Sequence, residues 1–276
     1  AGDVPVKVIN DGEVTALAAV KKLNDDPSFT GNPGNILGIS MGSSEGGGYA
    51  NENGNLPGWI NEMCYYKLDM NPDAPTDPWT KLNHRGISHM YLGQRGATKL
   101  AGVVLGDSLA PNLRYPHPDM CTMTHTFHAE ALEHIQAAMK DPAQKEKVKK
   151  IYETVGVYLG YGLAMYTEHY GIDHVMILGR VSKGEGGDLM MATAKRVLET
   201  DFPEKPATLA GNVPGANHER FAGAAVQVED IVRGDRVLTR ARDRVWHVGP
   251  TTYRDQHLCC CEHLRRLFLL ETLEVL

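Results

Sequence analysis

The chain has 276 residues, of which 42% are hydrophobic and 22% charged, values typical of a globular protein with a buried core. This composition argues against a disordered or fibrous protein. The net charge of −6 gives no positive field that would attract a phosphate polymer, so we expect a small-molecule ligand and no nucleic acid. No apolar run approaches the ~20 residues that span a bilayer, and we expect no membrane partner.

The amino terminus and the cysteines bear on the cellular compartment. The chain begins at Ala1, without an initiator Met or the pattern of a signal peptide, as a fragment of a longer chain would. The five cysteines, three of them consecutive at positions 259–261, are too few and too oddly placed for a disulfide framework. We therefore expect a reducing compartment, the cytoplasm.

The composition of the chain changes at about residue 232. Residues 1–232 contain all 14 Lys and all 11 Met, whereas residues 233–276 contain no Lys and 8 of the 14 Arg. We therefore expect a main domain over 1–232 and a compositionally distinct tail over 233–276, as an appended or out-of-frame segment would produce. Eight acidic residues from Glu229 onward offset the Arg of the tail, so we assign this tail no function.

The first elements alternate between strand and helix. Residues 4–9 predict a strand, because their β-branched residues alternate. Residues 10–12 end it, and the apolar spacing over 14–23 predicts a helix. Asp11 would then lie at the carboxyl end of a strand, where ligands of open α/β sheets collect.

A hairpin is predicted next. Residues 35–41 form the second predicted strand, which continues into the glycine-rich connection 42–48 and a turn at Asn53 and Gly54. Residues 59–83 are rich in Pro, Asn and Asp and predict a surface loop.

The remaining elements complete the prediction of fold class. In chain order they are helices over 94–105, 124–140 and 143–169, a strand over 174–178, a glycine loop over 179–187, and helices over 188–200 and 217–226. Gly171 is expected to end the third of these helices in a left-handed conformation. The mixture of strands and helices predicts an α/β fold.

Three segments resemble motifs of sugar kinases of the hexokinase and ROK (repressor, open reading frame, kinase) type. Residues 8–18 resemble the segment in which an Asn-Asp pair precedes a helix, 38–48 the second phosphate motif, and 175–187 the adenosine motif. The resemblance covers residues 4–228 and implies the carboxyl-terminal lobe of an actin-like ATPase, a ribonuclease H-like mixed sheet flanked by helices. It implies glucokinase-like, ATP-dependent phosphorylation of a hexose hydroxyl, with ATP and Mg²⁺ as cofactors.

The resemblance also assigns roles near the sugar. Phosphoryl transfer to a hydroxyl needs a carboxylate that accepts the proton, and the matching residue is Asp11. Asn10 would orient the sugar, and Glu62 follows the hairpin where ROK kinases carry a sugar-binding Glu. From the residues alone, the alternative is that Asp11 only caps the following helix.

The glycines have a rationale of their own. Successive glycines let backbone N–H groups approach an anion closely and form a nest around phosphate oxygens. The candidates for triphosphate binding are Gly42, Ser43, Ser44, Gly46 and Gly47, and those for adenosine binding are Gly179, Gly186 and Gly187. The alternatives are a tight hairpin and an ordinary strand-loop-helix connection without ligands. Glu45 does not suit a phosphate site, because its negative charge would repel a phosphate unless it faces solvent.

Two further expectations concern metal and completeness. His125 and His128 lie three apart on a predicted helix, where we expect solvent-facing histidines and no metal site. No Asp-x-Gly-x-Thr phosphate motif precedes Asn10, so we expect weak or no catalysis from this chain by itself. The alternative function is a non-catalytic sugar- or nucleotide-binding relative that acts as a regulator or interaction domain. Either function implies a small-molecule sugar or nucleotide as partner and leaves a homo-oligomer open.

Overall fold

A computed structural model describes residues 10–58, 62–77, 84–109, 125–204 and 208–210. The strand predicted over 4–9, the helix predicted over 217–226 and the tail 233–276 lie outside these ranges.

The described part of the chain forms helices and strands in a mixed order. The helices are α1 (Asp11–Asn24), α2 (Gly93–Val104), α3 (His125–Ala138), α4 (Lys145–Tyr166) and α5 (Gly184–Asp201). The strands are β1 (Ile36–Met41), β2 (Glu45–Ala50), β3 (His174–Leu178) and β4 (Thr208–Ala210).

These strands form one mixed sheet in the order β2-β1-β3-β4. The hairpin pair β1 and β2 is antiparallel, whereas β1 and β3, and β3 and β4, are parallel. Parallel neighbours require a crossover, and the segment between β1 and β3 supplies it with α2, α3 and α4. Helices flank a small mixed sheet, so the α/β class predicted from the sequence is confirmed.

The two faces of the sheet are covered differently. On one face α1 buries Ala16 and Ala19 against a small cluster made of Ile36, Ala50, Met176 and Leu178. The opposite face carries the main core, in which the strand residues Leu37, Ile39, Met41, Val175 and Ile177 meet apolar residues of α2, α3, α4 and α5. Alternate strand residues therefore point to opposite clusters, as the pleat of a strand requires.

The hairpin is tighter than the sequence predicts. Gly46, Gly47 and Gly48 were expected in the connection, but they pair with Ser40, Ile39 and Gly38 as part of β2. The connecting loop is therefore only Gly42–Ser44. The predicted turn at Asn53 and Gly54 is present after β2, where the N–H of Gly54 donates to the carbonyl of Asn51 at 2.8 Å.

Two other predictions need correction. Helix α4 ends at Tyr166, Thr167 is its C-cap in right-handed conformation, and Gly171 does not have a positive φ. The left-handed helix stop at Gly171 is therefore wrong. The surface loop over 59–83 is also wrong in part, because Met63, Leu68, Ala74 and Asp77 are buried.

The histidine prediction is wrong for one of its two members. His128 is buried, with 3% of its surface exposed, because α3 turns this face toward the interior. The side chain of His125 is outside the described set. Among the helices of the described ranges, none is both long and apolar enough to cross a membrane.

Candidate functional site

The amino terminus of α1 is closed by Asn10. Its side-chain oxygen accepts a hydrogen bond from the N–H of Gly12 at 2.8 Å, and its own N–H donates to the carboxylate of Glu13 at 3.4 Å. This is a capping box. Asp11 is the first helical residue and not the cap, so the alternative role considered for Asp11 is wrong by one position. The cap uses the oxygen of the Asn10 amide, and its NH₂ group takes no part in it.

Glycines seat the first turn of α1 directly on β2. A methyl group on Gly12 would collide with the carbonyl oxygen of Gly47, and one on Gly48 would collide with the carbonyl oxygen of Gly12. Backbone therefore packs against backbone, which only glycine permits at this distance. The consequence is that Asp11 lies one residue from a contact with the middle of β2.

The hairpin loop is fixed from two sides. The N–H of Gly42 donates to the carbonyl of Ser44 at 2.9 Å, and the N–H of Gln94 donates to the carbonyl of Gly42 at 2.8 Å. Gly93, which precedes Gln94 at the start of α2, has a φ of +76° and lies against this loop. The loop is thus held by the amino terminus of α2, a contact that the sequence did not predict.

Open space remains beside two of the predicted phosphate-binding glycines. A side-chain carbon on Gly42 or Gly46 would have no neighbour within 4 Å among the described residues, whereas one on Gly47 would collide with the sulfur of Met63. The side of the chain on which a Cβ would lie is therefore clear of described protein atoms at Gly42 and Gly46. Ser43 lies between them in the same half-buried loop.

The segment that resembles the adenosine motif, residues 175–187, meets the hairpin at the edge of the sheet where β1 and β3 end. Because β1 and β3 are parallel, Met41 and Leu178 end side by side. Gly179, with a φ of +114°, packs so closely on Met41 that a methyl group would collide with its carbonyl oxygen. The structure therefore places Gly179 next to the Gly42–Ser44 loop.

The other two glycines of this motif have packing partners. Gly186 and Gly187 lie in the first turn of α5. A methyl group on Gly186 would collide with the ring of Tyr152, and one on Gly187 with the carbonyl of Ser182. These contacts explain why both positions are glycine. The role of Gly186 and Gly187 in adenosine binding stays a prediction.

Glu62 reaches the same strand from the opposite side. It is exposed and precedes a single 3₁₀ turn, Met63–Tyr65, whose Met63 lies against the α-carbon of Gly47. Gly47 therefore contacts Gly12 through its carbonyl and Met63 through its α-carbon. Asp11 and Glu62 each lie one residue from these contacts, so both predicted sugar-binding segments converge on β2.

Glu45 does not face solvent, the condition under which its charge would leave a phosphate undisturbed. It is buried, and its carboxyl group accepts hydrogen bonds from the hydroxyls of Ser88 and, at 2.9 Å, Tyr166. Burial raises the pKa of Glu45 to about 7, although both hydroxyls oppose the rise. The group is therefore neutral for much of its population near pH 7 and repels an adjacent phosphate less than a charged carboxylate would.

Ser44 has a partner that the sequence did not reveal. Its hydroxyl oxygen lies 2.6 Å from Nδ1 of His89, 45 residues away along the chain. His89 in turn faces Asp77, which faces Arg95. No spacing pattern connects these residues, because each comes from a different element. Asp77 lies in a loop, His89 in the 3₁₀ turn Ser88–Met90 and Arg95 in α2. Within the described ranges, no group of three or more His, Cys, Asp and Glu residues is arranged to hold a metal ion.

The sequence matches no protein-family model and no curated protein. Similar folds occur among solved structures. A ROK family glucokinase from Streptomyces griseus, in complex with glucose and AMPPNP, is 18% identical over 72% of this chain and 62% of its own, with a TM-score of 0.45. A ROK hexokinase from Thermus thermophilus is 18% identical over 79% of this chain and 66% of its own, with a TM-score of 0.48.

A third similar structure is a ROK family transcriptional regulator, a homologue of the E. coli MLC protein. It is 14% identical over 78% of this chain and 50% of its own, with a TM-score of 0.46. The chain thus spans less than two thirds of the length of each of these three proteins. At such identities and TM-scores, the chemistry of this chain has to be inferred from its own residues.

Proposed function

We propose that this chain forms the carboxyl-terminal lobe of a cytoplasmic, ATP-dependent sugar kinase of the ROK or hexokinase type, which phosphorylates a hexose hydroxyl. One observation carries the proposal. The helix turn that contains Asp11 is seated by backbone contact on β2, the strand in which a side-chain carbon on Gly46 would meet no described atom within 4 Å. A proton acceptor and an anion-binding backbone are the two parts that phosphoryl transfer to an alcohol needs side by side.

The residues around Gly47 bind the sugar, which is the phosphoryl acceptor, and take its proton. Asp11 takes the proton from the sugar hydroxyl as its oxygen attacks the γ-phosphorus. The NH₂ group of Asn10, which the helix cap does not use, donates to a sugar hydroxyl, and the exposed carboxylate of Glu62 accepts from another. Bonds of this kind orient the attacking oxygen, and orientation is the main contribution of an enzyme to this reaction.

The hairpin loop and the start of α1 bind the phosphates of ATP, which is the phosphoryl donor. Backbone N–H groups of the Gly42–Ser44 loop hold phosphate oxygens, and the amino terminus of α1 adds a partial positive charge. Glu45, uncharged in part near pH 7, lies on the other side of the strand. Gly179 brings the nucleoside end of ATP beside the same loop. Mg²⁺ suits this arrangement because it binds largely through substrate phosphates and water, with one or two carboxylates.

The test compares two substitutions in one helix. The protein is expressed with its complete coding region, and hexose-dependent ADP release is measured for native protein, Asp11→Asn and Asp25→Asn. Asp25 follows the other end of α1 and pairs with Lys21 at the surface. We expect Asp11→Asn to lower kcat at least about 100-fold, because a general base contributes 10²–10⁴. Nucleotide affinity should be retained, and Asp25→Asn should behave as native.

Two results would contradict the proposal. One is the absence of ATP-dependent phosphorylation across a panel of hexoses and amino-hexoses. The other is equal activity of the two variants. Sugar binding by calorimetry without any turnover would favour the alternative, a non-catalytic sugar-binding protein.

A further inference from the structure

A buried row of polar side chains ends at Ser44 in the hairpin loop. The Ser44 hydroxyl lies 2.6 Å from Nδ1 of His89. Nε2 of His89 lies 3.8 Å from a carboxylate oxygen of Asp77, and the guanidinium of Arg95 lies 3.7 Å from the same oxygen. The side chains of Asp77 and Arg95 are 2% and 4% exposed, whereas Ser44 is half-buried at the surface end of the row.

This order of groups is that of an activated serine. When Nδ1 of a neutral imidazole accepts the serine proton, its remaining proton is on Nε2, which here faces the Asp77 carboxylate. A nucleophile, a base in hydrogen-bond contact with it and a third group that orients the base are the three parts such a site requires. The 3.8 Å separation between His89 and Asp77 is longer than a hydrogen bond, as catalytic contacts often are without substrate.

The row is held in place by the same helix that holds the loop. Gln94 donates its N–H to the loop at Gly42, and the next residue, Arg95, pairs with Asp77. Arg95 thus compensates the buried charge of Asp77. The start of α2 fixes the loop that carries Ser44 and, through Asp77, the group that faces His89. Such fixed geometry is what a nucleophile and its base need.

Cys64 is the other nucleophilic group beside the loop, and it is not activated. Burial, followed by the carboxylate of Glu62, raises the pKa of the Cys64 thiol to about 12. A thiol that stays protonated is a poor nucleophile. Of the two side chains, Ser44 is the one with a base, His89, in hydrogen-bond contact.

We propose that Ser44 is a nucleophilic serine that accepts a phosphoryl group from the nucleoside triphosphate held by its own loop. The choice of donor rests on the proposed function, whereas the activation of Ser44 by His89 does not. The Ser44 proton passes to Nδ1 of His89, the bond from Oγ to the γ-phosphorus forms, and the bond from that phosphorus to the β,γ-bridging oxygen breaks. ADP leaves, and His89 releases the proton to water.

The product would limit further binding at the same place. A phosphoserine adds a charge of about −1.5 to −2 to the loop that is proposed to hold the triphosphate. The next triphosphate would be repelled, so the modification acts as a brake on the kinase.

The first experiment tests the nucleophile without ATP. Native protein is treated with a fluorophosphonate, which reacts with activated serines by losing fluoride, and the labelled peptide is mapped so that Ser44 and Ser43 are distinguished. We expect labelling of Ser44 in the native protein. It should be absent in Ser44→Ala, and at least about 100-fold slower in His89→Gln. The matched control is Ser108→Ala, an exposed serine after α2, which should label as native.

A measurement without substitution covers the case in which His89→Gln does not fold. The native protein unfolded in urea should label at least about 100-fold more slowly than the folded protein, because the His89 contact is lost. Equal labelling of folded and unfolded protein, or of native protein and folded His89→Gln, would overturn the activation of Ser44. So would the absence of any label on Ser44.

The second experiment tests the phosphoryl donor. Native protein is incubated with ATP and Mg²⁺ without sugar, and a gain of one phosphoryl group at Ser44 is followed by mass spectrometry. We expect phosphoserine in native protein and in Ser108→Ala, and none in Ser44→Ala. Fluorophosphonate labelling without phosphoserine would overturn the phosphoryl-acceptor role. Phosphoserine without hexose phosphorylation by native protein would instead overturn the proposed sugar kinase and leave Ser44 as the nucleophile.

Discussion

The two faces of the β1–β2 hairpin are built in opposite ways. Toward α1, the strand residues Gly38 and Gly48 carry no side chain, and the backbone of the helix rests on them. Away from α1, Glu45 carries a carboxyl group into the interior, where Ser88 and Tyr166 bind it. Packing on the first face requires positions without a side chain, whereas stability on the second depends on the charge of Glu45. A change in volume should therefore disturb one face, and a change in pH the other.

The largest effect is expected from Gly48→Ala. The added methyl group would collide with the carbonyl oxygen of Gly12, and a backbone atom cannot move aside as a side chain can. We expect the free energy of unfolding, measured in urea, to fall by about 3 kcal/mol, at the upper end for overpacking.

Gly46→Ala is the matched control for this substitution, two residues earlier on the same face of β2. Its methyl group would meet no atom of the described part of the chain within 4 Å, so we expect a change within about 0.5 kcal/mol. Equal losses in the two variants would show that strand conformation, and not the contact with α1, sets the cost. That result would remove the basis for placing Asp11 on β2.

The second effect concerns the charge of Glu45. The folded pKa of about 7 lies above the ordinary value of 4.5, so the folded protein binds the proton more tightly than the unfolded chain does. The stabilisation from this proton is complete below pH 4.5 and is lost as the pH rises through 7. At about 1.4 kcal/mol for each pH unit, the loss amounts to about 3 kcal/mol.

Glu45→Gln isolates this effect, because glutamine has no proton to lose. Urea unfolding of native protein and variant is compared from pH 4 to pH 8. We expect the variant to gain about 3 kcal/mol relative to the native protein across this range. A constant difference between the two proteins would show that Glu45 titrates normally and is hydrated.

The smallest effect is expected from Tyr166→Phe, which removes one of the two hydroxyl donors to Glu45. Above pH 7 the carboxylate is charged, and losing a hydrogen bond to a charged buried group costs about 2 kcal/mol. Tyr161→Phe is the control, since the Tyr161 hydroxyl donates at 2.8 Å to Asp201, which is half-exposed. Water can replace that bond, and the loss in urea unfolding should be about 0.5 kcal/mol. A loss for Tyr166→Phe no larger than this would contradict the buried network.

The sequence predicts the elements of this fold well where periodicity is strong. The strand over 174–178 is predicted to the residue, and α1, α2, α3 and α5 differ from their predictions only at their ends. The glycines misled the prediction in opposite directions. Gly46 to Gly48 suggested a loop because glycine favours turns, but they belong to β2, where Gly48 lets α1 approach the strand. Gly171 suggested a helix end, but α4 ends earlier, at Tyr166.

The candidate site is predicted in part. The motif segments around Asp11, Gly42 and Gly179 can be found because their residues are contiguous. The structure brings Gly42 and Gly179 to one edge of the sheet and seats the turn that contains Asp11 on β2. Glu45, His89 and Asp77 could not be placed in this way. Whether a carboxyl group is buried, or a histidine faces a serine, depends on contacts between residues 43 to 121 positions apart, which no local pattern encodes.

The parallel pairing of β1 with β3 has a consequence for how the protein folds. It joins Ile36 to His174, so the ends of a long chain segment must meet before the sheet can form. Closing such a segment costs chain entropy before its contacts compensate, and proteins with many distant pairings fold slowly. The hairpin and α1 can form from neighbouring sequence, whereas Gly179 reaches Met41 only when β3 docks. The contact between the turn of Asp11 and β2 can thus form early in folding, whereas the contact between Gly179 and Met41 forms only after β3 docks.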